Sequence, residues 1–199
     1  GLRIDSVCTA FPSTALLAAT RDTALVYRVG QAIGEEMLYY GVDILLAPGI
    51  NIMRNPLCGR NYEYMSSDPE IAGEIAAAYV RGVQSMGVGA CVKHFALNNE
   101  ETHRHTVNVD VDDRALYEIY LPAFKAAVQE AGSWSIMSSY NLFRGSHVCS
   151  DTLLTRRILR DEWGFQGHVV SDCWAIRDFH ENHRVTKTSE QSAALALKT

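Results

Sequence analysis

The stretch Gly167-His168-Val169-Val170-Ser171-Asp172 reads as a short apolar strand that delivers a carboxylate at its C-terminal end. Three earlier segments end the same way. Asp43-Ile44-Leu45-Leu46-Ala47 runs into Pro48, Gly89-Ala90-Cys91-Val92 into Lys93-His94, and Ser135-Ile136-Met137-Ser138-Ser139 into Tyr140-Asn141. Apolar residues inside and polar residues at the C-terminal tip are the pattern of a parallel sheet whose strand ends carry a site.

Helical patterns separate these strands. Between Thr20 and Tyr40, Leu25, Val29, Ala32, Ile33 and Met37 recur at helical spacing, and Gly41 ends the run. Asp68-Pro69-Glu70 opens the next helix, with Ile71, Ile75, Ala78, Tyr79, Val83 and Met86 as its buried face. A third runs from Asp112 to Ala131, where Pro122 predicts a kink or a split. The last starts at Ser150-Asp151 and stops at Gly164.

The alternation of strands and helices is that of an α/β fold. No glycine-rich phosphate turn follows any strand, and polar residues sit after all four strands rather than at one switch point, so a (β/α)8 TIM-type barrel is expected over an open doubly wound sheet. A full barrel needs about 250 residues. Residues 1–199 therefore read as one incomplete barrel domain.

The net charge of -5 is spread without Lys/Arg blocks, which argues against a nucleic-acid or anionic-membrane surface. No apolar run is long enough to span a bilayer. The five scattered cysteines form no Cys-x-x-Cys pair and read as reduced thiols, which favours the cytoplasm over an exported location. A small neutral or polar substrate fits best, with no cofactor.

Four constellations carry chemistry. The aperiodic segment after Pro48 holds Arg54, Arg60 and Glu63; Arg54 and Glu63 read as surface ion-pair residues, and Arg60, between Gly59 and Asn61, as a fixed donor fork. Residues 93–105, Lys-His-Phe-Ala-Leu-Asn-Asn-Glu-Glu-Thr-His-Arg-His, form the densest polar stretch. There Lys93, His94 and Arg104 can bind hydroxyls. A metal site of His94, His103 and His105 with Glu100 or Glu101 is the rival, and it lacks any established ligand spacing. Tyr140 reads equally as an aromatic plug and as a substrate contact. Asp172 has a plain alternative as the cap of a following helix, but Trp174 beside it favours a sugar site, where an aromatic face covers C–H surface. With no Gly-x-Ser-x-Gly elbow, a strand-end carboxylate among hydroxyl binders points to glycosyl chemistry.

Taken together, LLAPGINIMRNPLCGRNYEY (45–64), GVGACVKHFALNNEETHR (87–104), IMSSYN (136–141) and ILRDEWGFQGHVVSDCW (158–174) resemble the N-terminal barrel of glycoside hydrolase family 3, the β-glucosidase and β-xylosidase family, over nearly the whole chain. The resemblance implies a retaining, exo-acting enzyme that releases terminal β-D-glucosyl residues, with Asp172 as the nucleophile that forms a glycosyl-enzyme ester. It implies sugar binding by Arg60, Lys93, His94 and Arg104, Tyr140 beside the nucleophile, and Glu63 supporting Arg60. It also implies two groups outside residues 1–199: a substrate-binding Asp in an Asp-Gly-Pro stretch ahead of Gly1, and a general acid/base from a following α/β domain. Glu100 and Glu101 match no acid/base motif.

An isolated 1–199 segment is accordingly expected to bind sugar without turnover and to be marginally stable. The family branch with an in-barrel His acid/base carries Lys-His-Phe-Pro-Gly-His, whereas here Lys93-His94-Phe95 continues as Ala-Leu-Asn-Asn. Residues 45–141 resemble bacterial β-glucosidases, while Ser-Asp-Cys-Trp-Ala-Ile and Arg177-Asp178-Phe179-His180 resemble β-xylosidases. β-Glucoside is the expected substrate and β-xyloside the alternative.

Overall fold

The computed structural model describes residues 1–199. In chain order the first half contains α1 (Thr14–Ala19), α2 (Thr23–Tyr40), β1 (Ile44–Leu45), a 3₁₀ turn (Asn61–Glu63), α3 (Pro69–Gln84) and β2 (Gly89–Phe95). The second half contains β3 (Asn108–Val109), α4 (Asp113–Ala115), a π-helical turn (Leu116–Tyr120), α5 (Pro122–Gln129), β4 (Ser135–Ser138), β5 (Leu142–Phe143) and β6 (Ser146–His147). A 3₁₀ turn (Val148–Ser150), a wide helix of π type (Thr152–Glu162), β7 (His168–Ser171), α6 (Asp178–Glu181) and α7 (Ser189–Lys198) complete it.

β1, β2, β4 and β7 form one parallel sheet in that order, which is also their order along the chain. A doubly wound sheet reverses its strand order at a switch point, and this sheet does not. It is a run of successive βα units of a (β/α)8 barrel. All strand tips therefore face the same end. β4 is buried along its length, with Ile136 between Val92 and Val169, whereas β7 at the edge is half-exposed.

Helix boundaries follow their caps. Asp68 accepts the Glu70 and Ile71 amides, and Asp151 accepts that of Leu154, each satisfying donors that the first turn leaves free. Pro122 splits the third helix as expected: the Leu121 amide reaches back to Leu116 O and α5 restarts at the proline. The wide helix takes the place of the α-helix expected after Asp151, with Trp163 N–H bonding Ile158 O.

On α2 the buried face is Val26, Gly30, Ile33, Gly34 and Met37, so only Ile33 and Met37 of the anticipated stripe are fully buried. The reason is a close helix crossing. A Cβ on Gly82 would lie 2.2 Å from Tyr27 O, and one on Gly30 would lie 2.7 Å from Tyr79 O. Hydrophobic periodicity cannot register a contact made by glycines.

Two other expectations need correction. β2 extends to Phe95, so Lys93 and His94 lie inside the strand rather than after it. A small second sheet, β3-β5-β6, was not anticipated; its antiparallel pair β5–β6 turns through Arg144 and Gly145, both at positive φ (+49° and +86°), the backbone a two-residue hairpin turn requires. All five cysteines are free thiols, and no helix is long and apolar enough to cross a membrane.

Candidate active site

A register irregularity in β2 builds one wall of the site. Lys93 pairs with Met137 and Phe95 with Ser138, which leaves His94 out of the β4 ladder. Asn51 replaces the missing neighbour: its Oδ1 accepts the His94 amide at 2.6 Å and its Nδ2 donates to His94 O at 2.9 Å. A side chain thus ties the Pro48 loop to the strand. Both Lys93 and His94 then meet charged partners from other elements, where regular alternation would send one to each face.

Asp172 lies at the tip of β7, its amide continuing the ladder onto Ser138 O, and is only 7% exposed. Its Oδ1 accepts the Cys173 amide at 2.7 Å, a bond within the turn; the next helix, α6, starts only at Asp178 behind Arg177, so Asp172 caps no helix. Its Oδ2 is buried and accepts no hydrogen bond. Arg60 Nη1 stands 3.8 Å from that oxygen and His94 Nε2 3.6 Å, the latter also buried without a partner. Burial, then Arg60, Lys93 and Arg104, hold the His94 pKa well below the usual histidine range. The ring is neutral, and the charge facing Asp172 comes from Arg60.

Two further carboxylates set the cations. Glu63 binds Arg60 Nε through Oε1 and lies 3.5 Å from Lys93 Nζ through Oε2, so the support expected for Arg60 is present. Glu101 takes Arg104 Nη1 at 2.9 Å and Asn98 Nδ2 at 3.1 Å, and reaches Arg60 at 4.0 Å. Glu101 is therefore fully engaged in ion pairs. Glu100 is bound to the Thr102 amide, which with the Thr102 side chain lowers its pKa. Neither carboxylate is set up as a proton donor. Arg54 is exposed and takes part in none of the ion pairs.

Tyr140 is 4% exposed and resolves its two readings into a wall residue. Its hydroxyl donates to Cys173 O at 2.8 Å, while the Arg104 guanidinium lies 4.6 Å and the His105 ring 4.4 Å from its ring. Burial and the nearby Asp172 push its pKa up. Arg60, Lys93, His94, Arg104, Tyr140 and Asp172 thus converge. Trp174 stands apart: it is 75% exposed at φ +66°, and the one ring contact it makes is with Arg177, 5.9 Å away.

The metal reading of His94, His103 and His105 finds no support in the geometry, because the three do not assemble; His94 faces Asp172 and His105 binds Asp178. Sequence reasoning missed Asn51, Tyr64 and Asp178. Tyr64 is fully buried, and its hydroxyl lies 3.2 Å from both His94 Nδ1 and Asn98 O. The signal for Asn51 was faint, a polar residue flanked by Ile50 and Ile52 in an aperiodic loop.

The profile of the glycosyl hydrolase family 3 N-terminal domain matches residues 1–199. The chain belongs to glycoside hydrolase family 3. Among family 3 relatives, a β-glucosidase from Bacteroides ovatus is 53% identical over 174 residues, covering 87% of this chain and 23% of that protein. An exo-α-(1→6)-L-arabinopyranosidase from Bifidobacterium longum is 49% identical over 175 residues, again 87% and 23%. The solved β-glucosidase 3B from Thermotoga neapolitana, in complex with α-D-glucose, superimposes with a TM-score of 0.85 at 44% identity, over 96% of this chain and 29% of that one. The chain thus spans about 23% of the length of its curated family 3 relatives.

Proposed function

We propose that these 199 residues are part of the barrel domain of a retaining exo-β-glucosidase in which Asp172 is the nucleophile. The observation that carries the reading is Asp172 Oδ2: a buried carboxylate oxygen at a strand tip, without a hydrogen bond, beside a guanidinium and a neutral imidazole. Such an oxygen keeps its lone pairs for the anomeric carbon. Arg60, Lys93, His94 and Arg104 bind the sugar hydroxyls, and bonds that tighten as the ring flattens toward an oxocarbenium ion lower the barrier. The proton for the leaving oxygen comes from outside residues 1–199, since Glu63 and Glu101 hold cations and Glu100 holds a backbone amide.

The β-glucosidase names of the Bacteroides ovatus and Acetivibrio thermocellus relatives support β-glucoside over β-xyloside. The Bifidobacterium arabinopyranosidases favour a second reading, the same chemistry on a pentopyranoside. To test both, the full-length parent is incubated with a 2-fluoro-β-glucoside inactivator, and the labelled peptide is mapped. Label on Asp172 is expected, and label on any other carboxylate sinks the assignment. Relative kcat/KM for aryl β-D-glucoside, β-D-xyloside and α-L-arabinopyranoside then ranks the sugars.

A further inference from the structure

A second buried carboxylate lies six residues beyond the nucleophile. Asp178, the first residue of α6, is 4% exposed. Asn182 Nδ2 donates to its Oδ1 at 2.6 Å, and His105 Nδ1 meets its Oδ2 at 2.7 Å. His147 and His183 stand close by, with one ligand atom from each and one from Asp178 all within 4.8 Å of one another.

A cation site is the first thought, and hydrogen bonding argues against it. His147 Nδ1 accepts the Cys149 amide at 3.2 Å, and burial drives the His147 pKa down to about 3. The neutral ring must therefore carry its proton on Nε2, which leaves no lone pair there for a metal. Asp178 instead works through His105.

A carboxylate only accepts, so His105 Nδ1 is the donor to Asp178, and Nε2 is the ring nitrogen left to accept. Arg104 Nε, which only donates, approaches that same Nε2 at 3.4 Å. Two independent partners thus specify one tautomer. With it set, Arg104 and His105 lie together against the Tyr140 ring, and the Tyr140 hydroxyl holds Cys173 O beside the nucleophile. The contacts close a circuit, Asp172 to Cys173 to Tyr140 to His105 to Asp178, and the chain from 172 to 178 completes it. His183 adds a strut, its Nε2 lying 3.3 Å from Tyr140 O.

We propose that Asp178 is a positioning residue for the sugar site: by fixing the His105 tautomer it aims Arg104 and braces Tyr140 against Asp172. This rests on the reading in which Arg104 binds sugar hydroxyls. D178N is the sharp probe, because an amide offers one acceptor where His105 and Asn182 present two donors. H105F is its companion, keeping a ring on Tyr140 while removing both hydrogen bonds.

In the full-length parent, D178N and H105F are each expected to lower kcat/KM for an aryl β-glucoside about 10-fold, with KM raised and kcat lowered, since the bonds Arg104 makes tighten in the transition state. The double variant should be no worse than H105F alone, since both act through one link. Additive losses near 100-fold, or an unchanged kcat/KM in D178N, would each overturn the proposal. A merely structural Asp178 lowers the melting temperature and leaves kcat/KM of the folded enzyme unchanged. A crystal structure of the D178N parent separates this idea from the choice of substrate. Arg104 moving off the Tyr140 ring supports it whatever sugar is turned over, and Arg104 remaining about 4.6 Å from the ring centroid overturns it.

Discussion

Asp172 and Asp178 are both buried, 7% and 4% exposed, and belong to one short segment, yet their oxygens are treated differently. Asp178 has a donor on each oxygen, whereas Asp172 has a backbone amide on one and none on the other. On the proposed reading, the difference separates a carboxylate used as a fastener from one held ready to react. Burial alone does not tell them apart, and neither does charge. What distinguishes them is whether the surroundings complete the hydrogen bonds or withhold one, and a withheld bond destabilises the folded chain.

The largest expected contrast is in turnover. In the full-length parent, D172N should lower kcat for an aryl β-glucoside by at least about 1,000-fold, as loss of a nucleophile does, against the loss of about 10-fold in kcat/KM expected of D178N. Residual activity of D172N within tenfold of wild type would erase the distinction. Next comes stability, where the signs should oppose. D172N removes a negative charge whose Oδ2 lacks a donor and should raise the melting temperature, while D178N breaks a doubly bonded carboxylate and should cost about 1–3 kcal/mol. Melting shifts of the same sign would mean that the two carboxylates are alike after all.

The histidines beside each carboxylate sharpen the point by pH. Burial lowers the pKa of both His94 and His147, the latter to about 3, so on acidification the unfolded chain takes up protons that the folded chain refuses. Stability from these two groups is complete above the ordinary histidine value of about 6.5 and is lost as pH falls from there toward about 3. Melting temperature followed from pH 7 to 4 should fall less steeply in H147Q than in wild type; parallel curves would remove His147 from this account. The smallest effect is expected for Y140F. Loss of its bond to Cys173 O should cost a few-fold in kcat/KM, and a loss above 100-fold would give the hydroxyl a role in the reaction itself.

The sequence showed these features unevenly. The four strands were legible because a buried parallel strand is a short apolar run, although β2 continues past its expected polar tip through Lys93 and His94 to Phe95. Pro122 and the capping residues Asp68 and Asp151 were legible because each acts within one turn of itself. Asp178 was not, since a carboxylate in Arg177-Asp178-Phe179 looks like surface until a histidine 73 residues away is seen to bind it. The short strands β3, β5 and β6 are two residues each, too brief for alternation to register, and Arg144-Gly145 lacks the Asn or Asp that usually marks such a turn. Trp174 illustrates the converse. Adjacency to Asp172 along the chain suggested a shared site, and the left-handed φ of +66° and the 75% exposure of the indole were not readable from it.

The side chain of Asn51 has a consequence for exchange with solvent. The His94 amide sits in a parallel sheet, but its acceptor is a loop residue, 43 positions away, rather than a neighbouring strand. Its deuterium uptake therefore reports the opening of the loop that carries Arg60 and Glu63, on the timescale of that loop, while the Val92 amide reports the sheet. One backbone proton inside the core can time the motion of the rim around Asp172.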